Sequence, residues 1–395
     1  MTDNQYGKIT PEALARLRAR IGRVFPIDEP YVKFVNPDSI RHAAHAIGDD
    51  NPLYNSPQYA AASRFGNPVA PPALLYAVAW GSWDMRRGEG LPGVHGLHAG
   101  DRWFYYRPLL AGDEVTATKV LLEVEPMEGR WAGESYMQVR EFRFHNQREE
   151  LVARCLMSAI RGEREESRTR AKHADIEKAK YTPEEISAVE GEIATQNPRG
   201  SQPRYWEDIQ VGEPVQQLTK GPLTVAEMIS WIRGIGSPHV RSGRHWVSYL
   251  RQSPRVAVRD PVTGIPEPVE RVHWDSYMAA EVGMPAPYDY GSQRGAWATQ
   301  FVTNWIGDDA WPVELAVQYR GINFLGDVVR LDGSVTRKWR APGTSNAYVE
   351  FSIRGVNQRG HLVMPGSAVA ALPSRTTGAP GLPILEEDFA TIGTR

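Results

Sequence analysis

Two stretches of this chain bring proton-transfer side chains together at close spacing. The first, Ala46-Ile47-Gly48-Asp49-Asp50-Asn51-Pro52-Leu53-Tyr54, runs on to Val69-Ala70-Pro71-Pro72. The second extends from Arg271-Val272-His273-Trp274-Asp275 to Tyr288-Asp289-Tyr290-Gly291. His273 is the first candidate for a general acid or base, because an unperturbed imidazole titrates near neutral pH; the competing reading is a structural histidine at a strand-to-helix junction. Asp49, Asp275 and Asp289 offer carboxylates, and each has a structural alternative. Asp49 can close an Asx-type turn with Asn51 after Gly48, Asp275 can cap the helix that follows it, and Asp289 can pair with Arg294. Tyr54, a phenol with a pKa of about 10, is a poor base at neutral pH; its chemical roles would be orienting water or donating a hydrogen bond.

Those side chains need elements to hold them. Thr10-Pro11-Glu12 opens a helix, with a capping hydroxyl and proline at the first position. Residues 30–35 read as a short strand. Asn36 or Asp38 caps a helix from Ser39 to about Ile47, which Gly48 ends. Residues 57–63 read as a short helix and 73–80 as a buried apolar one, for which periodicity alone does not exclude a strand; strands follow at 103–107, 114–124, 136–145 and 151–160. From Tyr205 the order restarts, with a strand and turn at 206–213, a Thr224-capped helix ending near Gly236, a short helix at 275–281, an apolar helix at 296–305, and strands at 314–324, 328–337, 347–356 and 362–371. Between Ser237 and about Val269 lies an excursion carrying Arg241, Arg244, His245, Arg251, Arg255 and Arg259. Guanidinium groups suit phosphate; a solvated loop is the preferred reading.

The two halves repeat one another. Tyr106 to Val115, with Gly112-Asp113, matches Tyr319 to Val329, with Gly326-Asp327, and Asn146-Gln147-Arg148 matches Asn357-Gln358-Arg359. A duplication packed as a pseudo-dimer follows. The 395 residues include 12 Trp and one cysteine, Cys155, at a net charge of -2. A single cysteine excludes an internal disulfide and a cysteine-based metal cluster, and the charge balance gives no reason to expect nucleic acid or an anionic membrane. No apolar run approaches the roughly 20 residues that span a bilayer. Residues 1–5 lack the start of a secretory signal, so a cytoplasmic protein is expected.

On these residues the chain resembles, over most of its length, a double hotdog protein of the MaoC-like dehydratase and (R)-specific enoyl-CoA hydratase group. In that group a helix ends in a Gly-Asp-x-Asn-Pro-x-His loop, and an Ala-His-Gly turn opens the central helix. Gly48 to Leu53 match the loop, with Tyr54 at the His, and Val69 to Pro72 match the turn as it occurs in the group's amino-terminal dehydratase domain. Val272 to Asp275 match the His end of a second loop and Asp289 to Gly291 a second turn, while Gly236-Ser237 stands where Gly-Asp would.

The resemblance implies an α+β fold of two antiparallel sheets, each wrapped around a central helix and packed as a pseudo-dimer. Residues 1–160 would form the amino-terminal hotdog, 161–203 a charged surface linker, 204–374 the carboxy-terminal hotdog and 375–395 an irregular tail. The implied reaction adds water to a 2-enoyl-CoA thioester, or removes it from the 3-hydroxyacyl form, without a cofactor. Acyl-CoA is the implied partner, and a homodimer or higher homo-oligomer is left open. A hotdog thioesterase and an inactive acyl-CoA-binding subunit are the alternatives. The expected site gathers His273, Asp275, Asp289, Tyr290, Asp49 and Tyr54 for catalysis, and Asn51, Gly291, Arg294 and Arg251 for substrate. The first copy keeps the Asp and lost the His; the second keeps the His and lost the Asp. The chemistry is therefore expected around His273, with its carboxylate supplied by Asp289, by Asp260, Glu267 or Glu270 of the excursion, or not at all.

Overall fold

The computed structural model describes residues 7–80, 91–129, 133–170, 172–173, 175–341 and 344–392, so residues 1–5 lie outside the described part. The first half supplies strands β1 (Val24–Pro26), β2 (His95–Tyr105), β3 (Val115–Gly129), β4 (Gly133–Asn146) and β5 (Leu151–Gly162). The second supplies β6 (Pro214–Lys220), a ribbon of β7 (Ala257–Arg259) with β8 (Pro266–Pro268), and β9 (Trp311–Gln318), β10 (Val329–Arg340), β11 (Ala347–Asn357) and β12 (Leu362–Leu372). All but the ribbon join in one 10-stranded sheet of order β1-β3-β4-β5-β2-β9-β12-β11-β10-β6. The two expected sheets are thus fused edge to edge, with β2 antiparallel to β9.

Helices α1 (Pro11–Arg18), α2 (Pro37–His45), α3 (Pro52–Asn55), α4 (Pro57–Ala62) and α5 (Leu74–Ala79) belong to the first half. Then come α6 (Arg164–Arg170), α7 (Pro183–Ala194), α8 (Val225–Ile235), α9 (Gly243–Gln252), α10 (Ser276–Ala280), α11 (Gly291–Ile306) and α12 (Glu386–Ile392). The starts follow local chemistry: Thr10, Asn36, Thr224 and Asp275 each accept a first-turn N–H with the side chain. Helices α5 and α11 are the buried pair, but they are unequal, with 6 residues in α5 and 16 in α11. Helix α2 packs on α8 so closely that a Cβ at Gly234 would lie 2.4 Å from the His42 carbonyl oxygen.

The duplication is visible in matched hydrogen bonds. Asp113 accepts from the Leu110 N–H at 2.9 Å and from Gln147 at 2.9 Å; Asp327 accepts from the Phe324 N–H at 3.0 Å and from Gln358 at 2.7 Å. Asn146 and Asn357 close the matching hairpins by accepting the N–H groups of Arg148 and Arg359.

Four expectations need correction. Residues 30–35 form only a bridge, Phe34 to Glu114. Residues 206–208 are a 3₁₀ turn, and the strand begins at Pro214, because Glu207 and Asp208 are drawn outward by Arg340 and Arg375. Segment 161–203 does not stay on the surface: β5 runs into it, Arg164 and Ser167 are buried, and Glu192 of α7 holds Arg330 of β10 at 2.7 Å. The end of the chain is not irregular throughout: Phe389 of α12 packs edge-on against Phe104, with ring centroids 5.3 Å apart, and Tyr106 donates to Glu386.

Asp327 has its side chain fully enclosed and meets Arg359 at 2.7 Å, whereas Asp113 meets a largely exposed Arg148 at 3.7 Å. Asp327→Ala leaves buried donors unpaired and should cost roughly 3 kcal/mol, against about 1–2 kcal/mol for Asp113→Ala. Urea unfolding of the two variants checks the order; equal midpoints would contradict it.

Candidate active site

A cavity of about 1170 Å³ opens beside the N-terminus of α11. His273, Asp289, Tyr290, Gly291 and Arg294 lie on its wall, as does Glu270. The excursion forms another part of the wall through Pro238, His239, Tyr249 and residues 252–256. The excursion is therefore not a solvated loop: α9 buries Tyr249, whose hydroxyl meets His239 Nδ1 at 2.7 Å.

Of the carboxylates that the sequence leaves open, Glu270 and Asp289 line this cavity; Glu270 is 8% exposed. The Ser237 hydroxyl donates to its Oε2 and the Tyr290 hydroxyl to its Oε1, the latter at 2.8 Å. Ser237, at the position where the resemblance implies an Asp, thus holds Glu270 by a hydrogen bond. Burial pushes Glu270 up to about 7, against the pull of its two hydroxyl donors. The ring of Tyr290 stacks on His273, centroids 3.7 Å apart.

His273 Nδ1 lies 2.7 Å from the Tyr288 carbonyl oxygen. A carbonyl only accepts, so Nδ1 carries the proton and Nε2 keeps its lone pair. Burial holds the imidazole down at about 4, so it is neutral at pH 7. Asp289 is also raised, to about 6, by burial. It faces Arg294 at 3.0 Å and accepts from Asn323 at 2.7 Å. The ion-pair reading of Arg294 therefore matches the geometry.

Helix α11 has Tyr290 as its N-cap and no side-chain cap bond. Its first-turn N–H groups are consequently left for another acceptor. The remaining wall is largely apolar but carries several cations, among them Arg16, Arg20, Lys172, Arg255 and Arg320, whereas Glu270 and Asp289 are the acids on it among the described residues.

The structure does not bring the other candidates here. Asp275 accepts the Met278 N–H at 2.9 Å and meets Arg271 at 3.1 Å, as a helix cap outside the cavity. Arg251 is exposed on α9 and is not part of the wall that Arg255 joins. Asp49 and Asn51 form the Asx-type turn: Asp49 accepts the Asn51 N–H at 3.1 Å, and Asn51 accepts the Leu53 N–H. Burial raises Asp49 to about 6, partly opposed by the charge of Lys220. Tyr54 and Asn51 border a space of only about 30 Å³. That volume is on the scale of one water. The turn before α5 is Pro71-Pro72, and proline lacks the N–H that a carbonyl would need. Among the described residues no cluster of three or more His, Cys, Asp or Glu is arranged to hold a metal, and no helix is long and apolar enough to cross a membrane.

Sequence reading named Glu270 only as one of several acids, although it lies in the segment directly before His273. It did not single out His98, Asp101 or Tyr319, which also meet near α11. Their types carry no signal apart from the fold.

A family profile described as "FAS1-like, dehydratase domain region" matches residues 19–155. A UPF0336 protein of Streptomyces avermitilis is 31% identical over 112 residues, covering 28% of this chain and 73% of that protein. A UPF0336 protein of Parafrankia sp. is 30% identical over 143 residues, covering 35% and 90%. Among solved structures, a MaoC-like dehydratase aligns with a TM-score of 0.61 at 17% identity, over 90% of this chain and 99% of that one. A putative MaoC domain protein dehydratase from Chloroflexus aurantiacus gives 0.57 at 12% identity, over 90% and 96%. A conserved hypothetical protein from Mycobacterium tuberculosis, described as having a double hotdog fold, gives 0.52 at 11% identity, over 89% and 96%. At these identities the solved structures speak for the fold, and the curated relatives for the lineage. The chain belongs to the UPF0336 family, with a double hotdog fold and an amino-terminal stretch that matches the FAS1-like dehydratase region.

Proposed function

We propose that this protein hydrates a 2-enoyl-CoA thioester, or dehydrates the 3-hydroxyacyl form, at one site per chain in its second half. The observation that carries the reading is the Ser237–Glu270–Tyr290–His273 cluster beside the uncapped N-terminus of α11, on the wall of a large cation-lined cavity. The cations suit the phosphates of coenzyme A. The thioester carbonyl takes the first-turn N–H groups of α11, where the helix dipole favours developing negative charge.

Water sits between Glu270 and Nε2 of His273. The neutral imidazole accepts one O–H and orients the molecule. Ionised Glu270 takes the other proton as the water oxygen bonds to the β-carbon. The double-bond electrons move onto the thioester oxygen as an enolate. Glu270 then returns the proton to the α-carbon, and the carbonyl re-forms. Water is added with no redox change, and dehydration is the reverse. A pKa of about 7 suits Glu270 to both halves of this exchange. The scheme requires no cofactor.

The test is turnover of a panel of 2-enoyl-CoA esters. Loss of the conjugated enoyl absorbance without free thiol is expected. Free thiol would indicate a thioesterase, and binding without turnover a non-catalytic role. Glu270→Gln and His273→Ala should each lower kcat by roughly 10² or more; unchanged kcat in either removes that residue from the scheme. Tyr54→Phe should be mild, since Tyr54 borders only the small space of the first half.

Glu270 also predicts a pH dependence. The ionised form acts, so kcat/KM should rise as pH passes through about 7. Stability runs the other way. The folded pKa lies above the unfolded value of 4.5, so the contribution is full below that value and is lost as pH rises through about 7. The total is on the order of 3 kcal/mol. Glu270→Gln stays neutral throughout and should gain on the wild type between pH 5 and 8. Parallel Tm curves for the two proteins across that range would refute the buried ionisation.

A further inference from the structure

A second imidazole lies at the start of α11, and it comes from the first half. His98 is on β2, which has a register shift between His98 and Gly100 in its pairing with β5. In a regular strand, residues three apart face opposite sides. The extra residue, Ala99, reverses that, and bulges commonly re-aim a side chain in this way. His98 Nε2 consequently meets Asp101 Oδ1 at 2.6 Å. The other oxygen of Asp101 accepts from the Tyr76 hydroxyl at 2.5 Å and from the Tyr319 hydroxyl at 2.8 Å. The ring is further held by stacking on Trp80 and by an edge contact with Tyr319.

This fixing leaves one nitrogen over. The His98 side chain is 6% exposed, and its Nδ1 is buried with no hydrogen-bond partner among the described residues. A buried polar atom without a partner is uncommon and needs a reason. The place where it sits supplies one. His98 lines the cavity and packs against Gly291, the first residue of α11: a Cβ there would lie 2.5 Å from His98 Cβ and 2.9 Å from Nδ1. Only glycine allows the imidazole and the helix N-terminus to converge on one point.

We infer that His98 is a further catalytic residue, whose Nδ1–H hydrogen-bonds the thioester oxygen beside the N–H groups of α11, with Asp101 as its positioning residue. The inference rests on the acyl-CoA reading above. In the acting form the imidazolium donates Nε2–H to the Asp101 carboxylate and Nδ1–H to the substrate oxygen. As the enolate forms, its charge meets a helix N-terminus and a cation held by a buried carboxylate. No proton leaves His98, so the balance of the hydration step is unchanged. The two imidazoles then differ in work: His273 orients water at the β-carbon, and His98 binds the oxygen at the carbonyl.

The experiment uses a ligand pair that differs only in that oxygen: butyryl-CoA and its thioether, S-butyl-CoA. Wild type should prefer the thioester, and calorimetric titration reads the preference without turnover. In His98→Ala the preference should fall by at least about tenfold, as for loss of a charged hydrogen bond, while the thioether binds as before. His98→Phe keeps the ring contacts, carries no nitrogen and should behave the same, so the test survives poor folding of the alanine variant. On a 2-enoyl-CoA that turns over, kcat should drop by about 10²–10³, the scale of one lost oxyanion donor, with KM within a few-fold. A folded variant that keeps the wild-type preference, or that loses both ligands equally, overturns the inference and leaves the hydratase reading standing. Failure of wild type to bind either ligand overturns the acyl-CoA reading and this inference with it.

Discussion

Strands β2 and β9 pair antiparallel from Gly100 opposite Gln318 to Phe104 opposite Glu314, and this seam joins the two halves into one sheet. Helix α11 packs on both of these strands. The seam therefore sets which groups of the first half can reach the start of α11. Asp101 is within the paired segment and Tyr319 follows β9 directly, so a carboxylate from one half and a phenol from the other meet at 2.8 Å. A one-residue slip in this register would turn Asp101 to the opposite face. The pseudo-dimer interface is thus also a wall of the site, and the division into two domains is weaker at this seam than the sequence duplication suggests.

Around α11 the ordinary charge states are inverted by burial. A glutamate is held up at about 7 and a histidine down at about 4. Each inversion destabilises the fold under some condition: ionised Glu270 at higher pH, protonated His273 at low pH. The hydroxyls of Ser237 and Tyr290 reduce the first cost without removing it, since they favour the carboxylate but do not replace solvent. The result is a proton acceptor near neutral pH beside an imidazole that stays neutral. That pairing suits proton exchange with water better than two groups at their ordinary values.

Much of the fold was legible because its signals are local. Capping side chains at Thr10, Asn36, Thr224 and Asp275 sit next to the helices they start. The Asp113 and Asp327 turns repeat with their partner hairpins. The site was legible only in part, because its decisive contacts are not local. Glu270 is buried because the excursion folds back and brings Ser237 to it across a chain separation of 33 residues. Arg255, not Arg251, lines the cavity because of how α9 and the turn after it face the body. His98 faces Asp101 because of a bulge, which neither residue type announces.

The first copy of the motif now has a different meaning. Its loop holds the far end of α11, as Asn51 donates to Asp308 at 3.3 Å just beyond the helix, and Gln300 donates to the Gly48 carbonyl at 3.2 Å. Lys220 closes the same region by donating to the Ile47 carbonyl at 2.6 Å, with Asp49 nearby as a partly compensating charge. These contacts need the Asp and the Asn of the loop but not its His, which fits the presence of Tyr54. The absence of N–H groups at Pro71-Pro72 is consistent with the proposed binding of the carbonyl at the other copy. One copy thus braces the C-terminal end of the central helix, and the other lies at its N-terminal end, where the proposed chemistry is placed. Because a helix transmits displacement along its axis with little compliance, bracing one end fixes the position of the N–H groups at the other.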